Sequence, residues 1–149
     1  MRIGAWVAMA LVVGAASAGA QEKQVITAPG ARPDLPFSSA VRVGNLLFLS
    51  GQIGSKAGTP GLVPGGIEAE TRQTMENIKA VLEHAGSSLD RVVKCTVFLG
   101  DMRNYAAMNR VYASFFPDGP PARSTLGANG LALGAAVEIE CIAVVGDAK

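Results

Sequence analysis

The sequence predicts an α+β fold, a mixed β-sheet with two helices packed on one face. Two segments, residues 67–85 and 105–116, repeat apolar residues at helical spacing. Five shorter runs are rich in β-branched and apolar residues, as strands are. Each helix carries one apolar stripe, so together they can cover only one face of a sheet. The other face must meet water or another subunit.

In chain order, residues 1–20 stand apart from the rest. Arg2 precedes an unbroken apolar run from Ile3 to Val13 and then small residues through Ala20, the pattern of a secretory signal peptide. Ala16-Ser17-Ala18 and Ala18-Gly19-Ala20 are both cleavage frames, and the second leaves a polar start at Gln21-Glu22-Lys23. The apolar stretch is shorter than the ~20 residues that span a bilayer. The expectation is a cleaved signal over 1–20 and a single periplasmic or secreted domain over 21–149, with no membrane attachment after cleavage.

Lys and Arg number 13 and Asp and Glu 12, so loss of Arg2 with the signal leaves the chain formally neutral apart from its termini. Nucleic-acid binding needs clustered cations that displace counterions from phosphates, and none is expected here.

Gln21 to Pro36 holds three prolines and a glycine and reads as an extended arm or loop. Val41 to Val43, the turn Gly44-Asn45, and Leu46 to Ser50 read as a β-hairpin. Gly54 to Gly66, with five glycines and two prolines, reads as a flexible surface loop. The first helix places Thr71, Met75, Ile78, Leu82 and Ala85 on one stripe, and Gly86 supplies its stop. His84, at the helix end, reads as a solvent-facing residue that complements the helix C-terminus and has no catalytic part.

Val92 to Leu99 is a strand. Asp101 is a good N-cap for the second helix, whose stripe is Tyr105, Met108, Tyr112 and Phe115. After Pro120-Pro121, residues 122–126 form a short strand, Gly127 to Gly134 a glycine-rich turn, and Val137 to Val145 a closing strand. The expected order is β-β-α-β-α-β-β.

Strand alternation turns Cys95 and Cys141 into an apolar layer. Two buried core cysteines are expected, and a disulfide is open to them if their strands are neighbours. No second Cys or His lies at ligand spacing near either, so no metal site is expected. The same alternation puts Glu138, Glu140, Ile142 and Val144, with Lys94, Thr96 and Phe98, on the opposite face. Carboxylates caught where such a face packs against a partner would be desolvated and would have raised pKa values, as a general acid or base requires.

Taken together, Ser50-Gly51-Gln52-Ile53, the helix ending Ala85-Gly86, Val93 to Leu99, Met108-Asn109 with Tyr112 and Phe115-Phe116, Pro121-Ala122-Arg123-Ser124, and Val137-Glu138-Ile139-Glu140 resemble the RidA/YjgF family in order and spacing. The resemblance runs from about Ala28 to Val145. It implies a chorismate-mutase-like (YjgF-like) fold assembled as a homotrimer with clefts between subunits. It also implies hydrolytic deamination of small enamines and imines, typically 2-aminoacrylate, to 2-keto acids and ammonia. Under it, Arg123 holds the substrate carboxylate, Glu138 orients or activates water, and Asn109 and Ser50 line the cleft. Two further cleft positions, Phe37 and Thr125, depart from the best-studied members, which have tyrosine and often cysteine there. The loop 127–134 also lacks the Leu-Pro that usually precedes the closing strand.

The chemistry suits these residue types. A planar guanidinium grips a carboxylate with two parallel charge-assisted hydrogen bonds, which Lys cannot do. A carboxylate within reach of a water can deprotonate it for attack on an imine carbon, and no metal or organic cofactor is needed. The expected partner is a small 2-imino or 2-oxo acid. Two rivals stand beside this reading, a non-catalytic binder of small carboxylates and, with less in its favour, an endoribonuclease or translation inhibitor.

Overall fold

The computed structural model describes residues 22–31 and 33–146. The signal-like segment lies outside them. Seven strands and two helices follow one another as β1 (Lys23–Ile26), β2 (Ala40–Val43), β3 (Leu46–Leu49), β4 (Gln52–Ile53), α1 (Gly66–His84), β5 (Val92–Leu99), α2 (Tyr105–Ala113), β6 (Ala122–Gly127) and β7 (Val137–Val144). They form one sheet in the order β1-β2-β3-β7-β5-β6, with β4 also pairing with β7. All pairings are antiparallel except the edge pair β5 and β6, so the sheet is mixed.

The hairpin β2–β3 forms over Gly44-Asn45. Its two-residue turn needs positive φ, and Gly44 supplies it at 59°. The stripe of α1 is buried as its spacing requires, with Thr71, Met75, Ile78 and Leu82 all sealed from solvent. Gly86 adopts φ 76°, and the Ser87 N–H donates to the Leu82 carbonyl at 2.8 Å, which closes the helix end.

Both helices pack on the face of the sheet that presents Leu47, Leu49, Val97, Leu99, Val137 and Ile139, and this layer is the core. Each such side chain contributes about 1.5–3 kcal/mol by leaving water. Among the described residues no helix is long and apolar enough to cross a membrane.

Three expectations are corrected. The N-terminal arm contains a strand, because Lys23–Ile26 adds to the edge of β2; its prolines all lie after the paired residues. The expected order β-β-α-β-α-β-β also omits the two-residue strand β4, Gln52–Ile53, which is too short to show alternation. Asp101 caps a 3₁₀ turn, Met102–Asn104, rather than α2 itself. Its carboxylate accepts the Arg103 N–H at 2.8 Å, and α2 starts one turn later.

The cysteines are buried as alternation requires, and they are joined. Strands β5 and β7 are neighbours, Cys95 faces Cys141 in register, and a disulfide links them inside the core.

Candidate active site

Arg123 sits on β6 in register with Cys95 of β5, so its side chain leaves the sheet on the helix-covered face. Tyr105, Asn109 and Tyr112 lie four and three residues apart on α2 and present one side of that helix to it. Arg123 Nη2 donates to Asn109 Oδ1 at 2.6 Å and to the Tyr105 hydroxyl at 3.3 Å. The guanidinium carbon stands 4.6 Å from the centre of the Tyr112 ring and 5.8 Å from that of Tyr105. Ring stacking and the Asn109 carbonyl therefore fix the plane of the guanidinium and leave Nε and Nη1 without a partner among these groups.

Thr125, two residues along β6, points to the same side. Its Oγ1 and the Tyr112 hydroxyl are buried without a hydrogen-bond partner among the described residues. Burial pushes the Tyr112 phenol up to about 12, so it stays neutral. An orphaned buried hydroxyl costs free energy, and polar contact with a ligand or water would recover it.

Glu138 belongs to a second group on the other face. It pairs with Ile53 of β4 and with Phe98 of β5, whose side chain points away from the core. The carboxylate lies against the backbone of Gly51, where even a methyl group would overlap its Oε1. Ser50, next in the chain, donates its hydroxyl to the Ser38 carbonyl at 2.6 Å, which draws the segment holding exposed Phe37 toward the same end of the sheet. Burial first, and the like charge of Glu140 second, hold the Glu138 carboxyl above the usual carboxylate range.

Of the six positions singled out in the sequence, Arg123, Asn109 and Thr125 thus gather on the helix face, while Glu138, Ser50 and Phe37 gather at the other group. Arg123 and Glu138 do not meet. They lie two strands apart on opposite faces of one sheet, and a single copy cannot turn both toward one small ligand.

Two residues escaped the sequence reading. Tyr105 sits in the helical stripe and reads as core, yet it is 40% exposed and engages Arg123. Glu70 is buried on α1, and its carboxylate accepts the Ala136 N–H at 2.8 Å, pinning the entry to β7 two residues before Glu138. The close packing of Gly54 on Glu70 is the other half of that clasp, and no sequence motif signals it.

The sequence profile of the endoribonuclease L-PSP family matches residues 25–145. A RutC family protein of Pyrococcus horikoshii is 46% identical over 122 residues, covering 81% of this chain and 97% of the relative. A protein of Dermatophagoides farinae named 2-iminobutanoate/2-iminopropanoate deaminase is 43% identical over 124 residues, covering 83% and 97%. The crystal structure of YEO7 from yeast superposes with a TM-score of 0.80 at 40% identity, covering 84% of this chain and all of the other.

Proposed function

The chain belongs to the RidA/YjgF family, and on that premise we propose that it hydrolyses small 2-imino acids, and the enamines that tautomerise to them, to 2-keto acids and ammonia. The reaction takes place in clefts between the subunits of a homotrimer. One copy offers Arg123, Asn109 and Thr125, and its neighbour offers Glu138, Ser50 and Phe37.

The observation that carries the reading is the separation of Arg123 from Glu138 within one copy. Each group is finished locally, one as a cation shaped for a carboxylate and one as a desolvated base. The face that bears Glu138 also exposes apolar side chains, with Val25, Phe48 and Leu126 in the open and Phe98 and Ile142 half-covered. A second copy seated there brings the two groups to one ligand and removes that surface from water.

In the reaction, Arg123 grips the substrate carboxylate with a two-point fork whose plane is set by Asn109 and Tyr112. Glu138 takes a proton from water as its oxygen attacks the imine carbon. The same carboxyl returns that proton to nitrogen to give a carbinolamine, then takes the hydroxyl proton as the carbonyl forms and passes it to nitrogen as the C–N bond breaks, leaving a keto acid and ammonia. A raised pKa suits both halves of that exchange. Proton transfer of this kind contributes about 10²–10⁴-fold.

The protein acts in the periplasm or outside the cell. The signal-like segment and the Cys95–Cys141 disulfide support this, since disulfides persist in oxidising compartments. Imines released there by amino-acid or amine oxidation are the substrates.

The test is to add the purified protein over residues 21–149 to imino acids generated by an amino-acid oxidase and to follow keto-acid formation. Acceleration that disappears in Glu138→Gln while pyruvate still binds supports the proposal. An unchanged rate with pyruvate bound leaves a carboxylate-binding protein. RNA cleavage abolished by Arg123→Ala would favour the endoribonuclease description instead.

A further inference from the structure

Arg123 has five N–H donors in a rigid plane. Every two-point fork that a guanidinium can offer a carboxylate uses Nη2, either with Nε or with Nη1. Here Nη2 already has two acceptors, Asn109 Oδ1 at 2.6 Å and the Tyr105 hydroxyl at 3.3 Å. A carboxylate fork therefore competes with these two acceptors for Nη2. The Asn109 bond is the shorter and the more enclosed. The Tyr105 bond is long and on the solvent side, so it is the one that yields.

The Tyr105 oxygen accepts from Arg123 Nη2 at 3.3 Å, and the neighbouring Asn109 side chain first, then Arg123, hold its phenol below the ordinary value. With its oxygen the acceptor in the Arg123 bond, its own proton is not used there. Of the two tyrosines in the chain, the other is sealed in the core at 4% exposure, and Phe37 carries no hydroxyl.

We propose that Tyr105 is a specificity-determining residue of the Arg123 site: its hydroxyl holds the place of the ligand carboxylate on Nη2 while the site is empty, and donates a hydrogen bond to that carboxylate once it is bound. The inference rests on the carboxylate-binding reading of Arg123. It assigns the site a third donor, which favours ligands that carry a full carboxylate over neutral amides of the same shape.

Calorimetric titration of the full assembly with pyruvate and with pyruvamide tests this. Tyr105→Phe keeps the exposed ring and is expected to weaken pyruvate binding about tenfold, as loss of one hydrogen bond to a charged group does. Pyruvamide binding and the thermal midpoint stay unchanged. Tyr105→Leu, which removes the ring as well, weakens pyruvate no less, and Arg123→Ala abolishes binding. If Arg123→Ala abolishes binding but Tyr105→Phe binds pyruvate as the unsubstituted protein does or more tightly, the role of Tyr105 is overturned and the Arg123 reading stands. If pyruvate does not bind at all, or binds Arg123→Ala equally well, both fall.

Discussion

In the proposed reaction Glu138 must be ionised to take a proton from water, and its pKa is raised by burial and then by Glu140. The expected kcat/KM therefore falls as pH drops through a limb that lies above the usual carboxylate range, and Glu138→Gln removes the limb along with about 10²–10⁴ of kcat. Glu140→Gln removes the smaller cause, so the limb should move to lower pH without returning to the ordinary value. A pH–rate profile of the three proteins checks this, and a limb that ignores both substitutions would assign the ionisation elsewhere.

At this scale the sequence was informative where alternation or a motif isolates a side chain. Alternation along residues 137–145 puts Glu138 off the core, and Pro121-Ala122-Arg123-Ser124 singles out the arginine. Tyr105 was illegible because an aromatic at helical spacing reads as core. Its exposure depends on the 3₁₀ turn ahead of α2, which makes it the first residue of the helix, at the mouth of the cluster.

At the scale of elements, long and strongly periodic segments were the readable ones. The first helix, the β2–β3 hairpin, and strands β5 and β7 sit where spacing places them, because one buried face fixes their period. Strand β1 was hidden in a proline-bearing arm, and it forms only because β2 offers an open edge. β4 has two residues, and its pairing with β7 is a tertiary matter.

The buried stripe of α1 carries the sheet-to-helix packing, so Leu82→Ala should cost about 2–5 kcal/mol, read as a lower urea midpoint. The disulfide joins residues 46 apart in sequence. Replacing both cysteines by alanine should cost up to about 4 kcal/mol in the loop-entropy view. If reducing agent leaves the urea midpoint of the unsubstituted protein unchanged, the disulfide does not constrain its unfolded chain.

For the whole molecule, the face bearing Glu138 decides whether one copy suffices. Phe48 is 42% exposed there and pairs in register with Ile142 of β7. Phe48→Glu adds a charge to a surface that the proposed trimer would desolvate. Light scattering behind a sizing column should then show the trimer mass replaced by the monomer's, with helical content kept and deaminase activity lost. The sequence exposes this face only as an unpartnered side of the sheet, since alternation names the exposed residues but says nothing of what meets them.

Under the proposed reaction, Arg123→Ala and Glu138→Gln should each disable the site, the first by removing the carboxylate grip and the second by removing the base. Co-refolding equal amounts of the two inactive proteins and assaying keto-acid formation tests the shared cleft most directly. If Arg123 of one copy works with Glu138 of its neighbour, some clefts in the mixed trimers regain both groups, and random assembly should restore about a quarter of the unsubstituted activity. No recovery from trimers shown to be mixed would mean that both residues act from the same copy or that one of them does not act at all.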